Sequence, residues 1–199
     1  MAAAFIPEPS TPHPSRKRWT RAECERLESM GIFEGHNYEL VDGELIDKMG
    51  KNQPHTFWLA LLHRWLSERF PSRVFQEGEI EVSPDDNLTS APQPDLVVLR
   101  ESWEKFRVRA PGPADISLLI EVADTSFAFD TKVKAALYAR AGIADYWVVD
   151  VITERLIAFR DPADGAYRTM TVCKADQSIA PLAAPTQSLK LTDLFPTEN

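Results

Sequence analysis

The sequence predicts an α/β fold, a mixed β-sheet core flanked by helices. Three observations carry that reading. Short apolar runs at residues 95–99, 116–122 and 146–150 suit strands covered on both faces. Between the second and third runs, Val133, Leu137 and Ala141 recur at helical spacing. Strand, helix, strand in that order implies a crossover within one sheet.

The preceding elements are legible from local signals. Thr20-Arg21-Ala22-Glu23 has the pattern of a capping box, so a helix is expected from there to about Met30, stopped by Gly31. Asp42-Gly43, between the apolar-rich runs 38–41 and 44–46, predicts a β-hairpin. Pro54 suits the first turn of a second helix, and Phe57, Leu61, Trp65 and Leu66 give it an apolar face up to about Phe70. A strand is expected over 74–82, broken by Pro84-Asp85-Asp86-Asn87. The polar stretch around Pro111-Gly112-Pro113 reads as a mobile loop. The helix after it is expected over about 131–141, capped by Asp130 and ended by Gly142. Three shorter strands are expected near 156–159, 167–172 and 188–191.

A chain of 199 residues suits one domain with a substantial core. The Pro-rich residues 1–18 read as a disordered arm, leaving 19–199 as a single domain. The arm's apolar part is too short for a signal sequence, and no run is long enough to span a bilayer. Cys24 and Cys173 lie far apart without zinc-site spacing and read as plain thiols of a cytoplasmic protein. The net charge of −8 counts against a protein that coats nucleic acid non-specifically. It leaves room for an enzyme that takes phosphate locally through metal ions.

Two carboxylates stand within the most apolar runs: Asp95 opens one, and Glu121 lies near the end of another. An uncompensated buried carboxylate is costly, and a divalent cation with oxygen ligands is one way to offset it. Buried salt bridges are the alternative, and for either residue alone the more ordinary one. The two carboxylates are expected to meet at the C-terminal side of adjacent strands, with at least one pKa raised. About 200° of helix rotation separates Lys132 from Lys134, at roughly 100° per residue. Lys134 therefore falls at the edge of the sheet-facing side, with Tyr138 four residues on, and Lys132 faces solvent. Lys134 could stabilise charge on an attacking water or a phosphate, or simply snorkel. In the first case Lys134→Ala should abolish activity with little loss of stability.

The ordered series Pro94-Asp95, Ile120-Glu121-Val122, Asp130…Lys134…Tyr138, Gly142-Ile143 and Tyr146-Trp147-Val148-Val149-Asp150 resembles the Uma2 family, also called DUF820. Tyr38-Glu39-Leu40-Val41-Asp42-Gly43-Glu44 and His55 match its N-terminal pattern. The resemblance implies the restriction-endonuclease-like fold of the PD-(D/E)xK superfamily and a DNA endonuclease activity. It puts Asp95 and Glu121 on the two acidic positions, with the Val122 backbone carbonyl as a further metal ligand. Ala123 stands where the superfamily lysine is usual, and Lys134 takes its place from the following helix. Glu39 matches an early acidic residue able to complete the metal shell, and His55 a histidine at a helix start.

The implied chemistry is hydrolysis of a phosphodiester assisted by Mg²⁺ or Mn²⁺. Two other readings stay open. One is a non-catalytic DNA-binding or interaction module, which Ala123 and the net acidity favour. The other is a metal-dependent hydrolase of a smaller phosphodiester. Arg64, Arg69, Arg73, Arg100, Lys105, Arg107 and Arg109 are candidates for a basic groove, or simply dispersed charges. A homodimer is expected from the resemblance, and from Trp19, Phe33, Trp58 and Trp103 lying in elements that one small core covers poorly.

Overall fold

The computed structural model describes residues 16–48 and 53–195. Helix α1 (Arg21–Ser29) starts at the expected capping box: Thr20 N donates to Glu23 Oε2 at 2.9 Å, and Glu23 N donates to Thr20 Oγ1 at 3.3 Å. The hairpin of β1 (Tyr38–Val41) and β2 (Glu44–Asp47) turns at Asp42 and Gly43, whose φ values are 47° and 79°. Positive φ at both central residues is what a two-residue hairpin of type I′ requires. Helix α2 (Gln53–Arg69) follows.

The main sheet has the order β3-β4-β5-β6-β7-β8, built from Val74–Gln76, Leu96–Leu99, Ile116–Ala123, Asp145–Asp150, Arg155–Ala163 and Ala166–Cys173. Only β5 and β6 are parallel; every other neighbouring pair is antiparallel. The crossover between them is the expected helix, labelled α3. It comprises an α-helical turn (Phe127–Phe129), a π-helical stretch (Asp130–Lys134) and a second α-helical stretch (Ala135–Arg140).

Strand alternation sorts the core into two layers. Leu118, Ile120 and Val122 of β5 face Leu59, Leu62 and Leu66 of α2. Leu119 and Ala123 face Leu137 and Tyr138 of α3. Glu121 shares the parity of Leu119 and Ala123, so it points toward α3. In β4, Leu96 and Val98 belong to the α2 layer and Val97 and Leu99 to the α3 layer. Asp95, one residue before Leu96, takes the α3 side by the same alternation.

Several expectations are corrected. The strand expected over 74–82 ends at Gln76, because Glu77 takes a positive φ of 54° and the chain leaves the sheet. Ile80 and Val82 are buried all the same, held by side-chain packing and not by a strand ladder. Helix α3 begins before 131, so Asp130 is an interior residue and not its cap. The segment expected near 188–191 gives only Leu189–Lys190, paired with Ser178–Ile179 in a separate two-stranded sheet. The loop around Pro111-Gly112-Pro113 is braced: Glu81 N donates to Pro111 O at 2.9 Å, and Arg109 pairs with Asp115 at 2.8 Å. Most of the expected N-terminal arm lies outside the described residues. Its last residues are tied down, since Arg18 donates to the Asp42 carbonyl and Trp19 N donates to Gly43 O at 2.8 Å.

Candidate active site

Asp95 and Glu121 meet on the α3 face of the sheet. They do not meet at the C-terminal ends of both strands, as expected from the sequence. Because β4 and β5 are antiparallel, Asp95 just before β4 lies beside Glu121 near the end of β5. Asp95 N lies 3.4 Å from Glu121 Oε2, and Val122 N donates to Asp95 Oδ2 at 2.9 Å. The register Leu96↔Ile120, continued by two residues, sets Val122 opposite Pro94. Proline has no N–H, so it cannot supply a ladder bond to the Val122 carbonyl.

Lys134 reaches this cluster from α3. Its Nζ lies 2.9 Å from Glu121 Oε1 and 2.8 Å from Glu39 Oε1, with only 2% of its side chain exposed. Tyr138 donates to the same Glu121 Oε1 at 3.1 Å. Lys132, in contrast, is exposed. The π-helical stretch leaves Asp130 and Lys134, four positions apart, both buried. Asp130 accepts a hydrogen bond from Ser126 Oγ at 2.5 Å.

The hairpin completes the wall. Both oxygens of Glu39 are engaged, one with Lys134 and the other accepting Gln93 N at 3.1 Å. In this structure Glu39 therefore braces the lysine and does not join Asp95 in an open ligand set. Lys48, directly after β2, sends its Nζ to the Gln93 carbonyl and to within 3.5 Å of Asp95 Oδ1. His55 Nε2, from the first turns of α2, is 3.6 Å from the same oxygen. These groups line a cavity of about 430 Å³ that also includes Asp47, Asp124 and Ser126.

The electrostatics follow from burial and from an excess of acids. Burial pushes the Glu121 pKa up to about 8; Lys134 pulls it down, while Asp95 and Asp130 add to the rise. Burial likewise raises Asp130 to about 6, against the pull of Lys134 and the Ser126 hydroxyl. Burial by itself would lower Lys134, but Glu121, Glu39 and Asp130 outweigh it and hold the ammonium above its ordinary range. The two shifts are compatible, because one lysine charge is shared among several carboxylates. Lys134 stays protonated, and the surplus negative charge favours an extra proton on the acids.

Sequence reasoning placed Asp95, Glu121, Val122, Lys134, Glu39 and His55 as candidates, and all six adjoin this cavity. It missed Lys48 and Asp130. Lys48 was within reach of hairpin parity: Glu39 pairs with Ile46, and Lys48 follows Ile46 by two on the same face. Asp130 was obscured by its resemblance to a helix cap. Ser126, four residues earlier, was the available sign that the helix starts sooner.

A mixed six-stranded sheet flanked by helices, carrying an acidic cavity with a buried lysine at one edge, defines an α/β protein of nuclease-like architecture. The chain belongs to the Uma2 family, described as "Putative restriction endonuclease", whose sequence profile matches residues 21–192. Its fold is similar to the crystal structure of "a putative nuclease belonging to DUF820" from Anabaena variabilis ATCC 29413, with a TM-score of 0.62 and 16% identity. The match covers 79% of this chain and 89% of that one. No curated protein matches the chain.

Proposed function

We propose that the protein is a metal-dependent endonuclease that hydrolyses DNA phosphodiester bonds. The observation that carries this reading is the convergence of Asp95 and Glu121 on one sheet face, with Lys134 against Glu121. The donor set fits Mg²⁺ or Mn²⁺: the carboxylates of Asp95 and Glu121 and the Val122 carbonyl would offer hard oxygen ligands. Among the described residues, no group of three or more His, Cys, Asp or Glu side chains is arranged to hold a metal. Solvent and phosphate oxygens would complete the shell, in keeping with the water that Mg²⁺ ordinarily retains. When bound, the ion supplies Lewis-acid polarisation of the phosphate and activation of a water molecule.

The chain's own residues orient this chemistry. Lys134 and Tyr138 hold Glu121 through Oε1, leaving Oε2 on the Asp95 side. The Val122 amide fixes Asp95. Glu39 holds Lys134. His55 stands beside Asp95, placed to relay a proton to the leaving oxygen. The test is cleavage of plasmid and single-stranded DNA with Mg²⁺, Mn²⁺ or a chelator, with Asp95→Ala alongside. Cleavage only with metal, and none in the variant, is expected. A wild-type protein inert with every metal refutes the reading.

Two further parts of the proposal concern the protein's setting. No helix among the described residues is long and apolar enough to cross a membrane. The reading places the enzyme in the cytoplasm, in keeping with its two free cysteines. It also acts as a homodimer. Trp103, 49% exposed, supports this, whereas Trp58 packs on Phe195 and does not. A monomer mass by light scattering would remove the dimer.

A further inference from the structure

We propose that Lys48 is the side chain that meets the substrate's phosphate, and that Lys134 is a positioning residue behind it. This rests on the nuclease reading above. Lys134 Nζ is held between Glu39 and Glu121 at 2.8 and 2.9 Å, and is sealed from solvent. A phosphate oxygen could reach it only by displacing a buried ion pair. Lys48 is differently placed. Its side chain is 13% exposed, its Nζ is 3.5 Å from Asp95 Oδ1, and it donates to the Gln93 backbone carbonyl.

The charge of the cavity favours such a group beside the metal ion. Asp47, Asp95, Asp124 and Glu121 line it and repel an incoming phosphate. Among the described lining residues, the lysines are Lys48 and Lys134. Lys134 is committed to its two carboxylates, so among the described lining residues Lys48 is the ammonium left to receive the anion. An ammonium carries three donors. Lys48 can keep its bond to the Gln93 carbonyl, which anchors the stem, while another N–H turns to the phosphate.

The experiment measures duplex binding by fluorescence anisotropy across a salt series, in Ca²⁺ to suppress cleavage. It compares the wild type with Lys48→Met, Lys48→Arg and Lys134→Met. Mn²⁺ affinity and melting temperature are recorded for each. Lys48→Met is expected to weaken binding about tenfold at low salt and to lower the slope of log K against log salt by about 0.9, the value for one phosphate contact. Its Mn²⁺ affinity should stay at or above wild type, and its melting point should fall by less than that of Lys134→Met, since Lys48 lies 3.5 Å from one carboxylate and Lys134 lies 2.8 and 2.9 Å from two. Lys48→Arg should restore the slope. Lys134→Met should lose stability while keeping the wild-type slope. A wild-type slope in Lys48→Met, or a lost contact in Lys134→Met only, overturns the assignment while leaving the nuclease reading intact. A wild type that neither binds nor cuts DNA overturns both.

Discussion

Replacing Lys134 by Met tests the site where its energetics are steepest. The substitution keeps most of the stem and removes the charge, leaving Glu39 and Glu121 buried without the cation that lies 2.8 and 2.9 Å from them. At an effective dielectric of about 20, each contact corresponds to roughly 6 kcal/mol of Coulomb attraction. Desolvation of the ions offsets much of it, and breaking a buried pair typically costs about 3–5 kcal/mol. Above the Glu121 pKa of about 8 two carboxylates are stranded, so the upper part of that range applies there. For a chain of this size about 2–4 °C is lost per kcal/mol, giving a melting temperature lower by roughly 10–15 °C. Burial thus reverses the sequence-based expectation that removing this lysine would leave stability intact.

The pH dependence has a definite sign. Glu121 already has a folded pKa raised to about 8, and removing Lys134 takes away a charge that lowers it. A carboxyl whose folded pKa lies above its unfolded value favours the fold at low pH, and that contribution fades as pH rises through the folded value. Below the wild-type folded value Glu121 is protonated in both proteins, so its share of the Lys134→Met deficit should stay level up to about pH 7 and widen as pH rises through about 8 toward about pH 9. Adding Glu121→Gln should recover part of it by removing one stranded charge. Thermal and urea melts at about pH 7 and about pH 9 are the assay. A Lys134→Met protein melting within about 3 °C of wild type at about pH 9, or a deficit independent of pH, refutes the buried-pair account.

Metal should stabilise the wild type more at pH 8.5 than at pH 6, because binding at Glu121 displaces a proton held with a pKa of about 8. Melts with and without Mg²⁺ or Mn²⁺ at the two pH values check this, and equal shifts would show that Glu121 is not a ligand. Lys132→Ala, on the exposed side of α3, should change stability by no more than about 0.5 kcal/mol and leave turnover near wild type. A loss matching that of Lys134→Met would contradict the placement of the two lysines. Gly43→Ala should cost about 1–2 kcal/mol, read as a lower urea midpoint, because Gly43 has φ +79° and an added Cβ would meet Arg18 Cβ at 2.9 Å. Unchanged stability would show that the hairpin carrying Glu39 and Lys48 tolerates another turn geometry.

Signals confined to a few neighbouring residues were readable without coordinates. The Thr20–Glu23 capping box, the Asp42-Gly43 turn and the continuous apolar run of β5 each depend on residues within a short stretch of chain. The same locality explains why the parity of Lys134 against Lys132 could be read from helical spacing, even though the helix contains a π-helical stretch. The identity of the two acidic strands was also legible, because carboxylates inside apolar runs demand an explanation.

What only the tertiary structure decided is how charges distant in sequence share one cavity. The antiparallel pairing of β4 and β5 put Asp95 just before one strand against Glu121 near the end of the other. The packing of the β1–β2 hairpin beside α3 gave Lys134 a second carboxylate in Glu39, and so turned an edge lysine into a sealed one. Gln93 then tied Lys48 to the same site, receiving its ammonium at the carbonyl while donating its own amide to Glu39. Local propensity determines which segments become strands and helices. The desolvation of a group, and therefore its charge state and role, is set by everything packed around it, and most of that arrives from elsewhere in the chain.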